Sequence, residues 1–349
     1  MTTDAKSVLL LHAGGTLGML PGPDGRWAPS PGALARAVAE MPELHDAEMP
    51  QVTVVELDPL LDSAEMRPSD WRRIAETIRD RLGGHAGCVV VHGTDTLAYT
   101  ASALSFLLEE LDRPVIVTGS QIPLVRARTD ARENLVAALQ LATDPRLAEV
   151  ATYLHGDLLR GNRATKVSAT GFGAFASPNL PPLAEVGADL VWNRELLLPK
   201  GSGALRCAPL SSVPVVALRL FPGIDGTVVR RVLDRPVRGL VLETYGTGNG
   251  PGRDRDLIAA LSEATERGVV VTAVTQCLRG GVDMERYASA GPLLDAGVLP
   301  GGDMTAEAAL TKLLVLCSRH DDPGRVRAGM TADLRGERTV AAARAFGPA

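Results

Sequence analysis

The chain has 349 residues, 36 Lys and Arg against 41 Asp and Glu for a net charge of −5, and a 45% hydrophobic composition. That length exceeds one ordinary small domain and supplies apolar material for two sizeable cores. A mildly acidic chain with no basic run argues against nucleic acid and anionic membrane as partners, and the N-terminal apolar run, Val8 to Leu11, is too short for a signal-peptide core or a membrane span.

Cys88, Cys207, Cys277 and Cys317 lie far apart with no CxxC, which suits reduced thiols and a cytoplasmic protein. The histidines are scattered without HxxH or HExxH spacing, so no metal site is expected. The lysines are few (Lys6, Lys166, Lys200 and Lys312), which leaves few candidates for a buried or catalytic amine.

Val8 to Leu11 reads as a short buried strand leading into His12-Ala13-Gly14-Gly15-Thr16-Leu17-Gly18. The adjacent glycines open backbone conformations closed to other residues and bring Thr16 close to a ligand. Their spacing is not GxGxxG, and no acidic strand end follows at the usual distance, so a dinucleotide site is not expected. Met19 to Pro31 is rich in Pro and Gly and reads as a lid. A helix is expected over Pro31 to Met41 and a strand over Val52 to Leu57, with Asp62 and Ser63 just beyond it. Ser69 or Asp70 can cap the amphipathic helix that runs to Leu82, so neither Asp62 nor Ser63 is needed there.

Cys88 to Val91 is the next buried strand. Gly93 turns the chain, and a helix without breakers runs from Leu97 to Leu108. Thr94 and Asp95 stand between them, either capping the helix or presented at the carboxyl end of the strand, where open α/β sheets bind ligands. Pro114 to Thr118 repeats the pattern and ends in Gly119-Ser120. A helix over Thr129 to Ala142 and a strand over Val150 to Leu154 follow. Such alternation predicts a doubly wound, mostly parallel sheet whose strand ends gather Thr16, Asp62, Ser63, Thr94, Asp95 and Ser120 in one crevice.

Arg160 to Ala169 alternates like a hairpin strand and holds Lys166 among small and apolar neighbours; an isolated Lys is normally a solvated charge. Periodicity fades from about Arg194 to Pro214. The division expected is an N-terminal domain over 1–195, a linker over 196–213 and a smaller α/β C-terminal domain over 214–349. In the latter, strands are expected over Val215 to Leu220, Gly239 to Glu243 and Val269 to Val274. Helices are expected over Ile224 to Leu233, Asp254 to Arg267 and Thr305 to Cys317. The glycine-rich loop Tyr245 to Gly252 carries Asn249.

Taken in order, these motifs resemble the bacterial L-asparaginase family, in its cytoplasmic type I branch. The resemblance rests on Gly14-Gly15-Thr16-Leu17-Gly18-Met19, Asp62-Ser63, His92-Gly93-Thr94-Asp95-Thr96 and Val117-Thr118-Gly119-Ser120-Gln121-Ile122-Pro123. It extends through Arg160-Gly161-Asn162-Arg163 with Thr165-Lys166, and Phe175-Ala176-Ser177-Pro178-Asn179-Leu180-Pro181-Pro182. It implies hydrolysis of L-asparagine to L-aspartate and ammonia without a cofactor, in a homodimer or homotetramer built from close dimers. By resemblance Thr16 is the nucleophile, and Thr94, Asp95 and Lys166 form a second, buried triad in which a Lys kept from water acts as base. Asp62 and Ser63 hold the substrate's α-amino and α-carboxylate groups, with Ser120 and Asn249 as further substrate contacts.

Two departures stand out. Trp27 occupies the lid position where relatives carry a polarising Tyr, and an indole only donates; by resemblance Tyr287 takes over. Glu243 stands where regulated relatives place an effector-binding Arg, and its charge opposes an effector carboxylate. The rival reading is a non-catalytic amino-acid sensor of the same fold. Against it stands the set of Thr16, Thr94, Asp95 and Lys166, because binding alone does not need a Lys beside an Asp.

Overall fold

The structure is a computed structural model that describes residues 6–234, 236–285 and 289–340. The chain divides into two compact units, Met1–Ser212 and Val213–Ala349.

In the first unit, eight strands among the described residues form one sheet. They are β1 (Ser7–Gly14), β2 (Gln51–Leu61), β3 (Gly87–Val91), β4 (Val115–Thr118), β5 (Val150–Leu154), β6 (Asp157–Arg160), β7 (Ala184–Val186) and β8 (Leu190–Trp192). Their order is β8-β7-β6-β5-β4-β3-β1-β2. The pairs from β2 through β5 are parallel, and those from β5 to β8 are antiparallel. Parallel strands covered on both faces should be apolar throughout, and β3 is buried at every residue. Helices α1 (Ala33–Glu40), α2 (Pro68–Arg81), α3 (Leu97–Leu107) and α4 (Ala131–Leu141) supply the crossovers. Pro68 opens α2 at its first turn, where a missing N–H costs nothing, and Asp70 accepts the Arg67 N–H at 2.8 Å.

The order β2-β1-β3-β4-β5 reverses direction between β1 and β3. In doubly wound sheets ligands bind at such a switch point, outside the carboxyl ends of the strands. This is the feature of the fold that positions the site.

Two segments differ from expectation. Residues 19–31 form a β-hairpin, Met19–Pro21 against Trp27–Pro29, instead of an unstructured loop. Of the segment read from sequence as a linker, 196–213, residues up to Ser212 belong to the first unit. Arg206–Cys207 pairs antiparallel with Leu108–Glu109, and the Glu110 carboxylate accepts from the Ser202 and Gly203 amides. Just before it, a buried ion pair, Arg160 Nε to Glu149 Oε2 at 2.5 Å, reaches the Leu196 carbonyl and the Leu198 N–H.

The second unit has a four-stranded parallel sheet, β9 (Val215–Arg219), β10 (Gly239–Thr244), β11 (Val270–Thr275) and β12 (Leu299–Pro300), in that order. Helices α5 (Gly226–Val232), α6 (Arg255–Glu266), α7 (Gly291–Asp295), α8 (Ala306–Arg319) and α9 (Pro323–Thr331) pack with it. Asp254 caps α6 by accepting from the Asp256 and Leu257 amides.

Lys312 on α8 is fully buried against a fully buried Glu337, Nζ to Oε1 at 2.5 Å. Burial pulls the Lys312 ammonium below its ordinary value. Burial also opposes the Glu337 charge, yet Lys312 and the Leu334 and Arg335 amides hold that carboxyl below the usual range. Lys312→Met, which strands the carboxylate, is expected to destabilise by about 3–5 kcal/mol. Adding Glu337→Gln removes the stranded charge and keeps an acceptor for both amides, so part of the loss should return. Urea unfolding of the full chain measures both.

Candidate active site

β1 ends in a bulge against β2, and the chain leaves it through Gly14 and Gly15 with φ of 126° and 88°. The space is as restrictive as the dihedrals. A Cβ on Gly15 would lie 2.2 Å from the Gly93 nitrogen, and one on Gly93 would lie 2.4 Å from Ser63 Oγ. The loops after β1, β2 and β3 therefore touch through two glycines and a serine. Thr16 opens the 3-10 turn Thr16–Gly18. It is half-buried, and its side chain has no hydrogen-bond partner among the described residues.

Thr94 follows β3 and is 6% exposed. Its hydroxyl donates to Gln121 Oε1 at 3.0 Å and accepts from Lys166 Nζ at 2.9 Å, and Lys166 Nζ also donates to Asp95 Oδ1 at 2.8 Å. Lys166 lies on the two-residue ribbon Thr165–Lys166, paired with Phe175–Ala176. These side chains therefore come together from separate segments of the first unit. They are not sealed from water as expected: the Lys166 side chain is 20% exposed and that of Asp95 69%. The ribbon that carries Lys166 is only two residues long, and it leaves the pair in partial contact with water. The backbone N–H groups of Gly93, Thr94 and Asp95 have no acceptor among the described residues.

Behind Thr94 the backbone is held by a buried relay. Trp71 Nε1 donates to Thr100 Oγ1 at 3.0 Å, Thr100 Oγ1 lies 2.9 Å from His92 Nε2, and His92 Nδ1 lies 2.8 Å from the Gly93 carbonyl. One assignment satisfies every group: His92 neutral, with its proton on Nδ1. Burial pushes the His92 imidazole down to about 4, against the upward pull of the Gly93 carbonyl. The folded value lies below the ordinary 6.5, so the unfolded chain takes up its proton first as pH falls. The stability that neutral His92 contributes is then complete above about 6.5 and is lost towards about 4. Denaturant midpoints at pH 7 and pH 5 should fall further in the wild type than in His92→Gln.

Ser63 is buried beside Gly93, and its carbonyl accepts from Thr96 Oγ1 at 2.7 Å. Asp62 is exposed and caps its own 3-10 turn, accepting from the Ala64 amide at 3.0 Å. Ser120 is fully buried and its hydroxyl donates back to the Ile122 carbonyl at 2.9 Å, so its proton is committed to the turn that it closes.

Its neighbour Gln121 faces Thr94 instead, its amide oriented by a 3.0 Å bond from Nε2 to the Gly171 carbonyl. Asp130 accepts from the Gln121 and Ile122 amides at 2.9 and 3.0 Å, and Asn134 donates to the Gly119 carbonyl at 3.0 Å. Sequence reasoning passed over all three. Gln121 lay inside the motif Val117 to Pro123, while Asp130 fell at the start of the expected helix; its carboxylate does not cap α4.

In the second unit, Asn249 bridges to Tyr245 and accepts from Ser289 Oγ at 2.7 Å. Glu243 is paired with Arg219 at 3.4 Å. Tyr287 lies outside the described residues. In the first unit Trp27 is 39% exposed, with the Arg126 guanidinium 5.9 Å from its ring centroid. Among the described residues, no group of three His, Cys, Asp or Glu side chains is placed to hold a metal ion.

Comparison with known proteins matches residues 7–198 to the family "Asparaginase, N-terminal" and residues 214–330 to "Glutaminase/Asparaginase C-terminal domain". L-asparaginase 1 of Escherichia coli (strain K12) is 47% identical over 334 residues, 96% of this chain and 98% of that protein. The crystal structure of L-asparaginase I from Vibrio cholerae superposes with a TM-score of 0.88 at 44% identity, covering 96% of this chain and 99% of that one. The thermostable L-asparaginase of Thermococcus kodakarensis gives 0.86 at 35% identity, with 96% and 99% covered.

Proposed function

The chain belongs to the asparaginase family, and from that premise we infer that it hydrolyses the side-chain amide of L-asparagine through a threonine acyl-enzyme. The observation that carries the reading is the contact of Lys166 Nζ with both Thr94 Oγ1 and Asp95 Oδ1, at 2.9 and 2.8 Å, beside the switch point that carries Thr16.

An amide is a poor electrophile, so its hydrolysis needs an activated oxygen, an oxyanion pocket and a proton for the departing nitrogen. Thr16 Oγ attacks the side-chain carbonyl carbon, and the resulting oxyanion is met by backbone N–H groups of the turn over Gly93 to Asp95. Breakdown expels ammonia, which leaves with the proton from the attacking hydroxyl, and an aspartyl ester remains on Thr16. Water then adds to the ester, and collapse releases L-aspartate and restores the threonine. Lys166 serves as base once it has given up its own proton; Asp95 orients it, and Thr94 relays between it and the reacting oxygen. Asp62 and Ser63 bind the substrate's α-amino and α-carboxylate groups, and by family resemblance Asn249, from this chain or a neighbouring copy, is a candidate for a further contact. By family resemblance Tyr287, from this chain or a neighbouring copy, is the candidate to polarise the Thr16 hydroxyl in place of the lid residue Trp27. The enzyme works in the cytoplasm as a homodimer or homotetramer.

Ammonia release from asparagine and glutamine over a range of concentrations tests this reading. Release from asparagine is expected; release from neither amide overturns the reading in favour of an amino-acid sensor. At saturating asparagine, Tyr287→Phe is expected to lower turnover far more than Trp27→Phe does, and the reverse order removes Tyr287 from the mechanism.

A further inference from the structure

His12 and Glu56 are register partners on the adjacent parallel strands β1 and β2, outside the constellation described above. His12 is fully buried, and its Nδ1 lies 3.1 Å from Glu56 Oε1. The other oxygen of the same carboxylate, Oε2, accepts the Gly32 N–H at 2.7 Å. The imidazole also lies hard against Gly18: a Cβ there would sit 2.6 Å from both Cε1 and Nε2.

Gly18 and Gly32 are the two feet of the hairpin over residues 19–31. Gly18 closes the turn that starts with Thr16, and its carbonyl accepts the Ser30 N–H at 3.3 Å. Gly32, with φ of 71°, precedes α1. A buried His12 and a half-buried Glu56 on two sheet strands thus touch both feet. Burial pulls the His12 imidazole below its ordinary value despite Glu56. The neutral ring carries its proton on Nδ1, donated to Glu56, and Nε2 has no partner.

We propose that His12 and Glu56 form the fixed base of this lid, and that His12, through Gly18, is a positioning residue for Thr16. The proposal rests on the reading of Thr16 as the nucleophile. A lid hinges where a few residues absorb its motion, and here the pair clamps the residues at which that motion stops. Losing the clamp frees the lid and blurs the position of Thr16, and small misplacements of a reacting group are costly.

Glu56→Gln is the sharpest test. Its amide still accepts from Gly32 but turns an N–H towards His12. The ring must then move its proton to Nε2, where no acceptor waits. His12→Phe keeps a ring and removes the donor; His12→Asn puts an amide donor near the place of Nδ1. Trypsin reports the lid without reference to activity, because the Arg26 side chain at the hairpin tip is 89% exposed and exposed Arg279 in the second unit serves as the internal reference.

In full-length protein, Glu56→Gln and His12→Phe should each raise nicking at Arg26 on the order of 10-fold, with Arg279 unchanged. They should lower kcat by a similar factor and move KM by less than about threefold. His12→Asn should recover most of both. If Glu56→Gln does not fold, the two His12 variants decide. Unchanged nicking at Arg26, nicking at Arg26 and Arg279 that rises together, or His12→Asn behaving as His12→Phe overturns the proposal. Wild-type protein that releases no ammonia overturns the functional reading instead and leaves the nicking result to judge the hinge.

Discussion

Thr16→Ala and Thr94→Ala are each expected to lower asparagine turnover on the order of 10³-fold or more, the scale seen when one member of a catalytic set is removed. Their effects on stability should differ. The Thr16 side chain is half-buried and has no hydrogen-bond partner among the described residues, so its loss should leave unfolding almost unchanged. Thr94 is buried and bonded to both Gln121 and Lys166. Its removal leaves the Gln121 carbonyl oxygen short of a donor at a part-buried site, at a cost of about 1–3 kcal/mol. Turnover at saturating asparagine and urea midpoints, measured on the same preparations, check both halves. Near-normal turnover in either variant removes that threonine from its assigned role.

The strand ends that carry Thr16, Thr94 and Asp95 were legible in the sequence because parallel strands buried on both faces leave continuous apolar runs, and the polar residues just beyond such runs stand at the strand ends. Val8 to Leu11 and Cys88 to Val91 pointed in this way to Thr16 and to Thr94 with Asp95. Gly15 and Gly93 were readable as turn residues, but not the reason both must be glycine. That reason is their contact with one another, 78 positions apart in sequence.

Lys166 illustrates the limit. An isolated lysine is most often a solvated charge, and only the family resemblance singled it out; its contact with Asp95 spans 71 residues. Gln121, Asp130 and His12 were missed for a related reason, since each acts through a side-chain contact that local patterning does not encode. Ser120 is ambiguous in the opposite direction. Serine after a strand-ending glycine signals a presented hydroxyl and a closed turn equally well, and here the turn takes its proton. The hairpin over 19–31 escaped because its strands are three residues each, too short for alternation to register.

Lys166→Met is expected to abolish turnover and to shift stability by no more than about 1 kcal/mol. The partner carboxylate is 69% exposed; without Lys166 it faces water, and exposed pairs of this kind contribute about 0–1 kcal/mol. A sealed pair would have behaved otherwise, with a stranded charge and a large loss. Methionine cannot show which property of the lysine matters, because it removes the charge and the proton acceptor together. Lys166→Arg separates them. Its guanidinium keeps the positive charge beside Asp95, but it does not give up a proton in proteins and so cannot act as a base. If Lys166 serves as base towards the Thr94 hydroxyl, 2.9 Å from its Nζ, the arginine variant should be as inactive as the methionine one. Substantial turnover with arginine would assign Lys166 an electrostatic part only, and the base would have to be sought elsewhere in the crevice.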